Sequence, residues 1–246
     1  MKNAPSLVII VLFVGVWELG ARLFNKPFIL PSPSQIAVRF WELKDVLLLK
    51  HLPVTLLTIV IGLVISISFG VAIAVWMSAN LSVRKALYPI LIASQMIPII
   101  ALAPIFVLWF GYTIWSKVAV TVLITFFPIT VNTFDGLSSG TKDMRELFLT
   151  MGATRKDIFL KYSVPTALPH FLSGLKVAVT LSVIGAAIGE WLGAQAGLGY
   201  FSRRMMTQFD GAAVFAPIVV LTVVGIGLFS CVAYLENQLL KWRLKS

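Results

Sequence analysis

The chain is poor in charge. Only 12% of its 246 residues are Asp, Glu, Lys or Arg, whereas 59% are hydrophobic. A water-soluble domain carries about 25% charged residues, and this chain therefore has too little polar surface to cover a soluble globule. We predict an integral membrane protein whose main solvent is lipid.

Cysteine and catalytic motifs are also scarce. The single cysteine, Cys231, excludes a disulfide framework within the chain. No Gly-Lys dipeptide occurs, which excludes a P-loop, and no H-E-x-x-H zinc motif or nucleophile elbow is present. The sequence predicts no enzyme, no metal site and no cofactor bound by this chain. A stand-alone ion-coupled carrier stays an alternative, although such carriers usually keep several ionisable groups at mid-membrane or an internal repeat.

The basic excess does not indicate nucleic-acid binding. The formal net charge is +10, but no Lys/Arg cluster is interleaved with aromatic residues as single-strand binding requires. The basic residues lie between apolar runs, where we expect them to face anionic lipid and fix topology.

Apolar windows define the predicted spans. Crossing a membrane takes about 20 apolar residues, and backbone groups in lipid must bond within their own segment, which selects helices. We predict an all-α, polytopic membrane protein with one domain over residues 1–246. Its six transmembrane helices are expected at about 5–24, 54–79, 87–110, 115–134, 171–193 and 213–238. Loop charge slightly favours both termini on the cytoplasmic side, with 135–170 as the longest inner loop.

The first outer loop carries a helix signal of its own. Ser32 can cap a helix whose first residue is Pro33 and whose third is Gln35, the spacing of a capping box. Apolar residues then recur at helical spacing with charged residues between them. We predict an interfacial helix on the outer surface.

A charged insert interrupts the apolar runs after residue 140. Thr141 precedes acidic residues in the first turn of a short helix, where the macrodipole favours them. That helix can end at Gly152, because glycine readily adopts the left-handed conformation of a helix C-terminus. Thr154 and Asp157 form a second capping box, and a second short helix is expected over about 155–162, ending before Pro165.

This insert is too short and too charged to cross the membrane. Its apolar residues Leu147, Met151, Ile158 and Phe159 are expected to form one exposed face. An interfacial hairpin on lipid headgroups and a docking element for a soluble protein are both compatible with that pattern.

The spacing of the insert resembles the cytoplasmic "EAA" loop of ATP-binding-cassette (ABC) importer permeases. Glu146, Gly152 and Pro165 hold the positions of the family's Glu, Gly and Pro. The family motif reads Glu-Ala-Ala, three residues, Gly, nine residues, Ile, one residue, Leu-Pro. The chain departs from it at Leu147, Phe148, Tyr162 and Val164.

The resemblance continues along the chain. Five further segments are similar to permeases for nitrate, sulfonates, taurine and thiamine-precursor pyrimidines. They are 30–33 (Leu-Pro-Ser-Pro), 98–104 (Pro-Ile-Ile-Ala-Leu-Ala-Pro), 109–111 (Trp-Phe-Gly), 189–194 (Gly-Glu-Trp-Leu-Gly-Ala) and 197–200 (Gly-Leu-Gly-Tyr). The form of the 189–195 segment favours a thiamine-precursor pyrimidine as substrate, with sulfonate or taurine and then nitrate as alternatives.

The resemblance implies a permease subunit of a bacterial inner-membrane importer that works by alternating access. It implies three partners: an ATPase subunit that holds ATP and Mg, an extracytoplasmic solute-binding protein, and a second permease subunit, expected to be identical. The loop would form a coupling helix that fits a cleft on the ATPase. The residues assigned to ATPase coupling are Glu146, Gly152, Ala153, Thr154, Arg155, Asp157 and Pro165.

Two prolines in one predicted span suggest a route for the solute. Pro98 and Pro104 each remove a helical hydrogen bond and can kink the helix. Irregular backbone at membrane depth is tolerated where it packs in protein or lines a watery cavity. We expect this span to border the translocation pathway, with Gln95 offering its amide to a polar solute; a kink needed only for packing is the alternative.

Glu190 is the only acidic residue in the fifth apolar segment. Acidic residues within membranes are costly and often functional, and we assign Glu190 to the pathway in a gate-forming or structural role. Because it lies near the end of its span, a solvated carboxylate or a partner such as Arg203 or Arg204 is also compatible with the sequence. His51 and His170 flank spans and are expected at the membrane interface.

Overall fold

The computed structural model describes residues 4–241, and within that range every regular element is helical. The residues outside it include both chain ends, on which the expected cytoplasmic termini depend. The helices are α1 (Ala4–Phe24), α2 (Pro33–Asp45), α3 (Leu52–Ala79), α4 (Leu81–Ser94), α5 (Ile99–Phe110), α6 (Ile114–Ser138), α7 (Lys142–Thr150), α8 (Arg155–Ile158), α9 (Val164–Gly193), α10 (Leu198–Thr207) and α11 (Gly211–Leu239).

Several of these helices are long and apolar enough to cross a membrane. Four continuous helical stretches qualify within the described residues, and the bent pair α4–α5 gives up to five. They correspond to the predicted spans from 54–79 onwards, because long charge-free windows leave the backbone no alternative to a helix. The predicted helix at 5–24 corresponds to α1, which has 21 residues.

The span predicted as one helix at 87–110 is broken. Helices α4 and α5 meet at 99°, because Pro98 has extended backbone (φ −64°, ψ 113°) and precedes the first residue of α5. The span that we predicted as one helix, with kinks at its prolines, is therefore two helices, and the kink at Pro98 is a break. Pro104, in contrast, lies inside α5 without ending it.

The helix predicted to end before Pro165 continues. A π-helical stretch, Phe159–Ser163, joins α8 to α9, and the helical run from Arg155 to Gly193 has 39 residues. Pro165 lies in the first turn of α9, where a helix N–H has no partner within its own helix and a proline costs little. The predicted stop is wrong for that reason.

The outer loop helix has the predicted start. The backbone N–H of Gln35 donates to Ser32 Oγ (3.3 Å), and the Ser32 N–H donates to Gln35 Oε1 (3.0 Å). This helix, α2, then runs through the π-helical stretch Val46–His51 directly into α3.

Helix α6 lies at the centre of the bundle between α3 and α9. Small residues allow this close approach: a Cβ atom at Gly174 would lie 2.6 Å from the Pro128 carbonyl oxygen, and one at Gly189 would lie 2.9 Å from Lys117 Cα. Threonines on α6 are buried because their hydroxyls donate to carbonyls four residues back, as Thr125 does to Thr121 (2.8 Å). The tight packing fixes α9 against the core along its length.

Candidate functional site

The insert folds as its local chemistry predicts. Helix α7 begins after Thr141, whose hydroxyl accepts the N–H of Met144 (3.4 Å). It ends at Thr150, and Gly152, two residues further on, has a positive φ of 82°. The N–H of Ala153 donates to the Phe148 carbonyl (3.0 Å) and that of Gly152 to Leu149 (3.0 Å), which is the hydrogen-bond pattern of a glycine-terminated helix.

The second capping box is also present. The N–H of Asp157 donates to Thr154 Oγ1 (3.2 Å), and the Thr154 N–H donates to Asp157 Oδ2 (3.2 Å). Lys161 Nζ lies 2.9 Å from Asp157 Oδ1. Arg155, the first residue of α8, is exposed to solvent.

Two departures from the permease motif contact each other. The rings of Phe148 and Tyr162 lie 5.6 Å apart between centroids, and the Tyr162 hydroxyl accepts the N–H of Thr141 (3.0 Å). Gly140 leaves room for this ring, because a Cβ atom there would lie 2.8 Å from Tyr162 Cε1. The larger side chain at 148 and the aromatic ring at 162 thus replace smaller motif residues as a matched pair. Their contact fastens α7 to the start of the long helix.

One face of α7 stays uncovered. Met144, Leu147 and Met151 are 42%, 50% and 74% exposed, and their spacing places them on the same side of a helix. Glu146 is also largely exposed and lies 3.6 Å from Lys142 Nζ. We name Met144, Leu147 and Met151 the docking face. Ile158, which we expected to share this face, is buried at 8% exposure; that part of the prediction is wrong because the residue packs inward from α8.

The predicted pathway residues separate into two places. Gln95 and Pro98 lie together at the bend between α4 and α5, both exposed. Pro104 lies on α5, about 9 Å further along its axis, and is also exposed. Glu190 lies elsewhere, near the end of α9.

Glu190 is fully buried. Its Oε2 accepts the N–H of Gly199 (2.8 Å), at the start of α10. The two alternatives, a solvated carboxylate and an ion pair with Arg203 or Arg204, are therefore wrong among the described residues, and Arg203 instead donates to the Trp191 carbonyl. The close packing of α9, α10 and α3 removes the carboxylate from solvent.

Two further side chains complete this site. His51 Nδ1 accepts the N–H of Gly197 (3.1 Å), and Thr55 Oγ1 accepts the N–H of Leu198 (2.9 Å). His51 is 4% exposed and packs on the Phe201 ring at 5.1 Å. We name His51, Thr55 and Glu190 the α10 clamp. Sequence reasoning missed it because the partners lie 146 and 143 residues apart.

Neither the docking face nor the α10 clamp has the ligands of a metal centre. Within residues 4–241, no three His, Cys, Asp or Glu side chains are close enough together to hold a metal ion. The docking face is an exposed apolar surface, which suits binding to another protein. The α10 clamp is a buried set of hydrogen bonds, which suits holding helices together during movement.

These features define a class: a polytopic helical membrane protein with an exposed loop helix that ends in a glycine turn. The chain belongs to the family of binding-protein-dependent transport system inner membrane components, whose family model matches residues 62–241.

Curated relatives cover nearly the whole chain. It is 58% identical to the formylaminopyrimidine transport permease of Halalkalibacterium halodurans over 98% of this chain and 96% of that one. It is 36% identical to a probable ABC transporter permease of Haemophilus influenzae, over 95% of each chain. It is 33% identical to the riboflavin transport system permease of Chloroflexus aurantiacus, over 96% of this chain and 88% of that one. The predicted ABC permease is therefore confirmed.

Proposed function

We propose that this permease moves a thiamine-precursor pyrimidine, of the formylaminopyrimidine type, inward across a bacterial inner membrane. The observation that carries the proposal is the 58% identity to a formylaminopyrimidine permease, which extends over 98% of the chain. A neutral, hydrogen-bonding heteroaromatic solute also suits a chain with few charges in its apolar helices.

The proposed assembly has two copies of this chain, each with six spans and a cytoplasmic coupling loop. An ATPase subunit that binds ATP and Mg would cover the docking face of each copy, and an extracytoplasmic binding protein would deliver the solute. The exposed apolar residues of α7 support this arrangement, because an uncovered apolar face beside charged residues is typical of a protein-binding surface.

The proposed mechanism is alternating access. ATP closes the two ATPases, draws the two coupling loops together and opens the pathway outward; hydrolysis resets it. This requires only that the docked ATPase bind the two permease states with different affinity. Glu146, Gly152, Ala153, Thr154, Arg155, Asp157 and Pro165 are the residues that we assign to coupling.

We place the solute pathway at the bend between α4 and α5. Gln95 and Pro98 are both exposed there, and irregular backbone at membrane depth is tolerated where it lines a watery cavity. Pro104 extends this surface along α5. Glu190 serves the pathway from behind, since it is buried against α10.

Purification of the chain from its native membrane in detergent tests the assembly. We expect a P-loop ATPase to co-purify and to be lost when residues 144–161 are scrambled. Gly152→Pro and Glu146→Lys should abolish ATP-dependent uptake, because the first breaks the turn after α7 and the second reverses the charge beside the docking face. Active uptake by this chain alone, without ATP, would instead favour a stand-alone carrier.

Uptake into proteoliposomes that contain the complete complex tests the substrate. Labelled formylaminopyrimidine should be accumulated with ATP, and unlabelled taurine or nitrate should not compete. Accumulation of taurine or nitrate in its place would identify the substrate as one of the alternatives.

A further inference from the structure

Three consecutive backbone N–H groups at the start of α10 are bound by side chains from other helices. Gly197, Leu198 and Gly199 donate to the three residues of the α10 clamp, at 3.1, 2.9 and 2.8 Å. The first N–H groups of a helix have no partners within the helix and are ordinarily met by one capping side chain or by water. Here side chains from two neighbouring helical spans accept these N–H groups, and these hydrogen bonds attach α10 to both α3 and α9.

The backbone at this point leaves no room for a looser arrangement. Gly197 has a φ of 121°, and a Cβ atom there would overlap the carboxyl group of Glu190. A Cβ atom at Gly199 would lie 2.6 Å from the Ala187 carbonyl oxygen. The first turn of α10 therefore packs backbone to backbone on α9, and both glycines are required by contact.

The carboxylate of Glu190 is not explained by stability alone. It is fully buried, and its Oε1 has no hydrogen-bond partner among the described residues. An unpaired buried oxygen is costly, although the positive end of the α10 dipole offsets part of that cost. A residue that only fills this space needs no polar atom, whereas a residue that must hold the start of a helix needs a strong hydrogen-bond acceptor.

The α10 clamp lies at the far end of the long helix that begins at the coupling loop. The helical run Arg155–Gly193 is continuous over 39 residues, and Glu190 lies about 50 Å along it from the capping box at Thr154, at a rise of 1.5 Å per residue. One end of this run begins at the coupling loop, and the other end holds α10 and α3. A helix that is continuous between such ends can carry a displacement from one to the other.

We propose that His51, Thr55 and Glu190 are positioning residues of the transport cycle, which hold α3, α9 and α10 together as one moving unit at the end of the bundle remote from the coupling loop. This rests on the proposed function, since the coupling loop must supply the movement. The clamp transmits that movement to α10, which connects α9 to α11, and it makes no contact with the solute or with ATP.

The test uses the complete complex in proteoliposomes and compares two buried threonines of α3. Thr55→Val keeps the side chain's shape but removes the acceptor for Leu198. Thr58→Val is the matched control, because Thr58 is equally buried and its hydroxyl donates only to Val54 within its own helix (3.0 Å). Thr55→Ser, which retains a hydroxyl, is the rescue variant.

We expect Thr55→Val to lower solute uptake per ATP hydrolysed by about tenfold, in line with the loss of one buried hydrogen bond. ATP hydrolysis and co-purification of the ATPase should stay within about twofold of wild type, because the docking face is untouched. Thr58→Val and Thr55→Ser should keep wild-type coupling. Equal coupling in Thr55→Val and Thr58→Val would overturn the proposal, whereas ATP-independent uptake by the wild type would overturn the proposed function instead.

A distance measurement keeps the proposal testable if Thr55→Val does not assemble. Cys231, which is exposed, is first replaced by serine, and spin labels are attached to cysteines at the exposed positions Leu49 and Met206. The distance between these labels, one beside α3 and one on α10, should be the same with and without ATP. A change that exceeds the width of the distance distribution would show that α3 and α10 move apart and would refute the clamp.

Discussion

The two ends of the long helical run Arg155–Gly193 are held in opposite ways. At the Arg155 end, polar contacts are exposed and mostly short-range, as in the Thr154–Asp157 capping box and the Asp157–Lys161 ion pair; the bond from the Thr141 N–H to the Tyr162 hydroxyl joins residues 21 apart. At the Gly193 end, the hydrogen bonds of the α10 clamp are buried, and two of them join residues 143 and 146 apart. Short-range contacts give the loop its shape, and a few exposed contacts such as Phe148–Tyr162 join it to the long helix, whereas the buried α10 clamp fixes three helices to one another.

This difference suits the two tasks of a transport subunit. A surface that binds a partner must be well formed yet still uncovered, and short-range caps achieve this because they need no other part of the fold. Helices that move together must keep their contacts during the movement. Buried hydrogen bonds hold such contacts, because breaking one leaves an unpaired polar group in a dry interior.

The largest effect is expected from one glutamate at each end. Glu190→Ala leaves the Gly199 N–H without its acceptor and opens a cavity, and should lower the free energy of unfolding by about 2 kcal/mol or more. Glu146→Ala removes an exposed side chain and should change it by less than about 0.5 kcal/mol. Thermal unfolding in detergent, followed by tryptophan fluorescence, compares the two; similar losses for both glutamates would contradict the contrast.

Local chemistry made much of this architecture predictable. The spans from 54–79 onwards follow from charge-free windows, and the loop follows from two N-terminal caps and one glycine, because each of these signals is complete within a few residues. The continuation through Pro165 was missed because a proline in the first turn of a helix and a proline after its end look alike in sequence.

Long-range partners were beyond such reasoning. Thr55 looks like an ordinary residue of an apolar span, and His51 like an interfacial one, until the fold brings Gly197 and Leu198 against them. The sequence left the environment of Glu190 open for the same reason, since only the packing of α10 on α9 removes its carboxylate from water. The 99° break between α4 and α5 likewise depends on which neighbours the two halves contact.

A smaller effect should separate backbone strain from packing at the loop end. A Cβ atom at Gly152 would meet nothing within 4 Å, yet the φ of 82° is one that residues with side chains rarely adopt. Gly152→Ala should therefore destabilise the loop by about 1 kcal/mol, and Gly152→Asn by less, because asparagine tolerates the left-handed conformation. Hydrogen exchange of the α7 amides measures this change.

The control for that substitution is a second open glycine. Gly15 lies within α1, and a Cβ atom there also meets nothing within 4 Å. Replacing a glycine inside a helix by alanine stabilises the helix, and Gly15→Ala should therefore be neutral or slightly stabilising. Equal losses at Gly152 and Gly15 would show that the turn after α7 has no special backbone requirement.

The smallest effect concerns the two aromatic residues that join the loop to the long helix. Phe148→Ala and Tyr162→Ile each restore a residue of the permease motif, but each alone leaves the other ring without its contact at 5.6 Å. We expect the double variant to be more stable than the sum of the single effects by about 0.5 to 1 kcal/mol, the coupling typical of an aromatic pair. A double-mutant cycle on the exchange protection of the loop amides measures it, with Leu149→Ala, an exposed neighbour on α7, as the uncoupled control. If the effects of Phe148→Ala and Tyr162→Ile simply add, the two departures from the motif are independent, and the loop is attached by hydrogen bonds such as that from the Thr141 N–H to the Tyr162 hydroxyl.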